Sequence, residues 1–201
     1  PIEKQHDEEC QQRLNLRLAP FILRRTKAQV AKELPPKTEI ARRVVLEGRQ
    51  RELYEGLRLS LAEELREVIA QRGIAHSGIV VLDALLKLRQ VCCDPRLVKL
   101  EVARGVHESA KFELLMDMLP ALLDEGRKVL LFSQFTGMLK LIAAELDRRR
   151  IRYVTLTGDT RDRAEPVQRF QNGEVPLFLL SLKAGGVGLN LTAADTVIHY
   201  D

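Results

Sequence analysis

The chain has 201 residues, 45% of them apolar, no tryptophan, and 32 basic against 28 acidic side chains for a formal charge of +4. That length and apolar content support one hydrophobic core with an appendage and exclude a disordered chain, and so small a charge excess excludes a histone-like polycation. Three cysteines, two of them adjacent, make neither a disulfide framework nor a C-x-x-C pair, and four scattered histidines show no metal-ligand spacing. No stretch approaches the ~18 apolar residues of a membrane span, and PIEKQHDEEC lacks the basic-then-apolar order of a secretion signal. The expectation is a reducing interior, no metal site and no membrane.

In chain order, EECQQRLNLRLAPFILRRTKAQVAKELPPK predicts a helix with Leu14, Leu18, Ile22 and Val30 loosely aligned, broken at Pro20 and stopped at Pro35 and Pro36. TEIARRVVLEG, 38 to 48, alternates weakly and predicts a short strand. From Arg49 the period becomes helical: Leu53, Leu57, Leu61, Leu65 and Val68 form one stripe, Gly73 and Gly78 bracket a break, and IVVLDALLKLRQVCCDPRLV resumes the helix until Asp94-Pro95. After Gly105 the rhythm changes again. SAKFELLMDMLPALLDEG predicts a helix with Ser109 as its N-cap and Gly126 as its stop. KVLLFS, RYVTLTG, VPLFLLS and TVIHY then predict four strands, with helices over QFTGMLKLIAAELDRRR and DTRDRAEPVQRFQNG. Apolar strands alternating with helices imply a parallel sheet covered on both faces, an α/β class. Pro166 falls in a first helical turn, where proline is tolerated.

Ligands of such sheets lie beyond the carboxyl ends of the strands. Three of these ends carry polar or glycine-rich loops, FSQFTG at 132 to 137, LTGDTRDR at 156 to 163 and SLKAGGVGLN at 181 to 190. All three should open on one edge and share a surface. Glycines there let backbone N–H groups approach an anion, and hydroxyls and Lys183 add donors and charge. The stretch from Arg127 to Arg169 holds ten basic and five acidic residues, a local +5 that suits phosphate but equally suits a solvated helix face. Two phosphate motifs fail: a dinucleotide fingerprint from Gly186 needs glycine where Leu191 stands, and no Gly-Lys pair exists for a P-loop. Cys92 and Cys93, in an apolar helical context, read as inert buried thiols.

Six segments, PFILRRTKAQVAKELPPK, LLKLRQVCCDPRLV, SAKFELL, KVLLFSQFTGML, GDTRDR and LFLLSLKAGGVGLNLTAADTVIHYD, occur in the order and approximate spacing of the second motor lobe of SWI/SNF-type helicase-like ATPases, and the chain resembles that family over nearly its whole length. The resemblance implies an incomplete RecA-like lobe, its parallel sheet flanked by helices. Residues 1 to 40 are similar to the connector from the first motor lobe, 41 to 105 to a short strand plus helical protrusion, and 106 to 201 to the lobe itself. It also implies ATP and Mg2+, held mainly by the first lobe, and double-stranded DNA lying across both lobes.

Carried onto this sequence, FSQF resembles the family's motif IV and points Ser133 and Gln134 toward nucleic acid. TGDTR does the same for Thr157, Gly158 and Arg161, and the motif V-like SLKAGGVGLN for Ser181 and Lys183 on the DNA backbone and Gly185, Gly186, Gly188 and Asn190 on the nucleotide cleft. The family continues past VIHYD into motif VI, whose arginines reach the γ-phosphate. The expectation is therefore one lobe of a DNA-dependent ATPase, with no catalytic residue of its own and inactive alone. A bacterial cytoplasm, at the nucleoid, or a eukaryotic nucleus would house it, with a DNA-bound protein as a further partner. A non-catalytic scaffold module and a strand-separating helicase remain as alternatives.

Overall fold

In the computed structural model, which describes residues 8–25, 37–73, 76–186 and 188–201, the chain divides into two units, Pro1–Arg42 and Arg43–Asp201. The first holds α1 (Glu8–Leu18), which ends just before Pro20 with closing bonds from the Ala19, Phe21 and Ile22 amides. Its Arg13–Glu9 pair, 2.8 Å apart, is solvent-exposed and contributes little to stability. Val30 and the Pro35-Pro36 stop lie outside the described residues. The strand expected over 38 to 48 is not formed: residues 37 to 47 have no regular structure. β-Branched alternation makes a strand only where a neighbouring edge completes the ladder, and no strand among the described residues pairs with this segment.

The second unit opens with α2 (Gly48–Arg72) and α3 (Gly78–Cys93), which pack on each other. The expected stripe is the buried one. Leu53, Leu57 and Leu61 lie against Ala84 and Val91, with Leu65 half-buried beside them. Burying each leucine stabilises by roughly 1.5–3 kcal/mol at most, because denatured chains already hide part of that surface. The opposite side of α3 leaves Ile79, Leu82 and Leu86 exposed.

Polar bonds join this helical pair to α4 (Ala110–Asp124). The buried Gln50 amide donates to the Val91 carbonyl at 2.8 Å and accepts the Ala110 N–H at 3.0 Å, so one side chain serves an end group of α3 and one of α4. Ser109 stands at the N-cap position, but its hydroxyl donates to the Cys93 carbonyl at 3.1 Å and makes no cap bond, which corrects the expected role. The Tyr200 hydroxyl reaches the same carbonyl at 3.0 Å.

Pro120 lies inside α4 and has no N–H to give the Met116 carbonyl four residues back. The Arg149 guanidinium fills the vacancy at 2.7 Å. Arg149 is itself steered by Glu145 at 2.6 Å, whose carboxyl the neighbouring Arg148 and Arg149 hold down at about 2.

The rest is the expected parallel α/β layer: β1 (Val129–Ser133), α5 (Thr136–Arg148), β2 (Tyr153–Leu156), α6 (Ala164–Gln171), β3 (Leu177–Ser181), α7 (Leu182–Gly185) and β4 (Thr196–His199). The strand order is β2-β3-β1-β4 and every pairing is parallel. Val129, Leu131, Leu177 and Leu179 point to a face covered by α4 and α5 through Leu119, Met138, Ile142 and Leu146. Leu130, Leu180, Val154 and Leu156 point the other way, where α6 and α7 contribute Phe170 and Ala184. Strand alternation thus feeds two cores, and β1 and β3, buried on both sides, read as unbroken apolar runs.

Candidate functional site

The connection leaving β1 crosses one face of the sheet toward β2, and the one leaving β3 runs on the other face toward β4. Their carboxyl ends therefore diverge at a topological switch point, where a crevice opens in sheets of this kind. Ser133 and Ser181 are register partners on its two sides, and Leu156 pairs Leu180, so the loop after β2 begins at the same level. The three loops read from sequence do share one edge.

The predicted residues differ in what they present there. Arg161 and Lys183 are exposed and carry no ion pair among the described residues, and Gly158, Gly186, Gly188 and Asn190 are exposed with them. Thr157 is half-buried, its N–H donating to Thr160 Oγ1 at 3.0 Å, which orders the turn that displays Gly158.

The two serines do not display their hydroxyls. Ser133 is buried, donates its one proton to the Asp201 carboxylate and receives the Phe135 N–H at 3.1 Å. Ser181 is buried and accepts the Ala184 N–H at 3.2 Å as the cap of α7. Each hydroxyl is engaged inside the protein, accepting a nearby N–H where its strand ends. Gln134 is half-buried, and its side-chain nitrogen is enclosed with no hydrogen-bond partner, a state costing about 1–3 kcal/mol.

The glycine run has separate causes at separate positions. A Cβ on Gly185 would lie 2.5 Å from the Phe132 ring, so this glycine answers to packing inside the protein. Gly188 has φ 57 and nothing within 4 Å, so the turn itself demands it and leaves its surroundings open.

Three contributors escaped the sequence reading. Asp201 clamps the end of β1, accepting the Gln134 N–H at 2.9 and 3.1 Å beside the Ser133 hydroxyl. An acid ending an apolar strand at the ligand edge was the available signal. Phe132, the first residue of FSQFTG, stacks on His199 at 5.5 Å between ring centroids and walls the glycine run, a packing role that the sequence did not mark. Gln171, at the end of α6, hydrogen-bonds the loop after Gly188, and no pattern marked it.

The remaining titratable groups nearby are structural. Burial pushes the Cys93 thiol up to about 11 and raises Cys92 as well, which keeps both protonated and unreactive near neutrality. No three His, Cys, Asp or Glu side chains converge among the described residues, so these residues offer no donor set for the implied Mg2+. No helix among the described residues is long and apolar enough to cross a membrane.

Comparison with known proteins agrees with this geometry. Residues 1–97 match the SNF2-related domain and residues 110–201 the helicase conserved C-terminal domain. An ATP-dependent helicase of Mycoplasma genitalium is 34% identical over 203 residues, covering 100% of this chain and 19% of that protein. The CHD3-type chromatin-remodeling factor PICKLE of Arabidopsis thaliana is 34% identical over 98% of this chain and 15% of its own length. Among solved structures, the Sulfolobus solfataricus SWI2/SNF2 ATPase core domain superposes with a TM-score of 0.72 at 34% identity, covering 100% of this chain and 42% of that one. The same core in complex with dsDNA gives a TM-score of 0.70 at 33% identity, covering 100% of this chain and 43% of that one. The chain spans about a fifth of the length of the curated relatives it matches.

Proposed function

Because the chain belongs to the SNF2-related helicase-like ATPases, we propose that it is part of a motor that uses ATP to move along double-stranded DNA. Its share of the work is to grip the DNA backbone and to form one wall of the nucleotide cleft. The observation that carries this reading is the convergence of three strand-end loops at one sheet edge, with Arg161 and Lys183 exposed beside an open glycine turn. Lysine meets phosphate as a point charge, and arginine as a fork that matches two oxygens. Such contacts position a protein without reading bases, which is what a translocating motor requires. The side carrying Gly186, Gly188 and Asn190 is the cleft wall, where a backbone without side chains admits a nucleotide closely.

ATP hydrolysis itself, the Mg2+ that accompanies it and the first motor lobe belong to the intact protein. When bound, the ion neutralises phosphate charge, and this segment closes against the nucleotide so that its phosphate contacts shift along the duplex. A DNA-bound protein in the path of that movement would be displaced.

The test is Lys183→Ala in the intact protein. Half-saturating duplex should rise several-fold at low salt, the slope of log affinity against log salt should fall by about 1, and the melting temperature should hold. Unaltered affinity and slope remove Lys183 from the DNA surface. An intact wild-type protein that binds duplex without hydrolysing ATP is a scaffold, and one that displaces a paired strand is an unwinding helicase.

A further inference from the structure

Gln171 is the last residue of α6 and half-buried, and both ends of its amide are engaged by one loop. Oε1 accepts the Ala193 N–H at 2.8 Å, while Nε2 donates to Thr192 Oγ1 at 3.1 Å and to the Asn190 carbonyl at 3.3 Å. The orientation of the amide is unambiguous, since an N–H must meet an oxygen and a carbonyl must meet a donor. Within the described part of this loop the other backbone bonds run from the Ala194 N–H to the Leu191 carbonyl at 3.2 Å and, at the end that enters β4, from the Asp195 N–H to the Lys128 carbonyl at 3.2 Å, which leaves residues 190, 192 and 193 to Gln171.

Apolar contact supplies the rest: Leu189, Leu191, Ala193 and Ala194 pack on the core face that includes Phe170, Phe178 and Leu180. Non-directional packing sets how close the loop lies but not how its peptide planes turn. Hydrogen bonds to residues 190, 192 and 193 set the turn, and with it the direction of the exposed Asn190 side chain. The opposite end of the same eight-residue helix is fastened as well. Asp162 Oδ1 accepts the Ala164 and Glu165 amides at 2.9 and 3.3 Å, directly after Arg161. α6 is therefore a strut between the loop carrying Arg161 and the loop carrying Gly188 and Asn190.

We propose that Gln171 is a positioning residue: it orients the 188–195 loop for turnover stimulated by duplex and ties that loop to the Arg161 loop through α6. The turnover half of this rests on the motor reading above, whereas the orienting half does not.

The experiment uses the intact protein with two variants. Gln171→Met keeps length and volume and removes all three bonds, and Gln171→Glu keeps the acceptor for Ala193 while losing both donors. Amide hydrogen exchange over 188–195 and ATP turnover with and without duplex are measured for each. The methionine variant should exchange about tenfold faster across 190–195, the scale expected for the loss of one or two net hydrogen bonds. Its duplex-stimulated kcat should fall about fivefold or more, with KM for ATP moving less than kcat, and the glutamate variant should lie between it and the wild type. Unchanged exchange overturns the orienting role, and faster exchange with unaltered stimulated kcat overturns the part in turnover. A wild-type protein without any duplex stimulation refutes the motor reading instead, and the exchange comparison then decides on Gln171 alone.

Discussion

Gly185 shows how one residue type in one run can answer to different forces. Its missing Cβ makes room for Phe132, whose ring would otherwise be 2.5 Å away. Gly188, three residues on, is glycine for its φ of 57. Gly185→Ala should destabilise the chain by about 1–3 kcal/mol, since Phe132 is also stacked on His199 and cannot simply swing aside. Urea unfolding should show a lower midpoint at an unchanged m-value, and Phe132→Leu should relieve the loss. An unshifted midpoint means that the ring moves freely and the close approach is inconsequential. The run was visible in the sequence, but the partner of each glycine was not. The same holds for Ser133 and Ser181, which sit at the expected edge with hydroxyls already engaged by Asp201 and by the Ala184 amide.

Among the elements, α4 is the one whose sequence conceals a cost. Pro120 deprives the Met116 carbonyl of its helical donor, and Arg149, the residue just past the end of α5 and 33 positions away, supplies a replacement. Arg149→Ala should therefore cost about 1–2 kcal/mol, discounted because the arginine is partly exposed and water can substitute in part. In a Pro120→Ala background the helix provides its own N–H, and the cost of losing Arg149 should shrink by about half or more. Chemical denaturation of the four proteins measures the coupling, and strict additivity would show that the bond is incidental. The periodicity of α4 was readable because burial of Leu115, Met116 and Leu119 outweighs one absent hydrogen bond. The segment 37–47 failed as a strand for the complementary reason, propensity with no ladder to join.

For the molecule as a whole, chain order and a single edge of loops carry the proposed function, in which the first motor lobe supplies the rest of the nucleotide site. The sequence contains no G-x-x-x-x-G-K-[ST], and the described residues bring no three metal-donor side chains together. Purified residues 1–201 should show no ATP turnover above background with or without duplex, while the intact protein should hydrolyse ATP faster when duplex is added. Turnover by the isolated chain would contradict the division of labour between two lobes. The sequence by itself determined the class, the alternation of strands and helices, the burial of β1 and β3, and the gathering of three loops at one edge. These follow from local periodicity together with the fixed hand of parallel crossovers, which leave little freedom once the strands are placed. Only the tertiary structure decided that the serines are occupied, that Asp201 closes β1, and that Gln171 holds the loop beyond Gly188. The Asp201 and Gln171 contacts join residues 19 to 68 positions apart, and directional bonds of that reach leave no period along the chain, while the Ser181 cap is local but depends on where its strand ends.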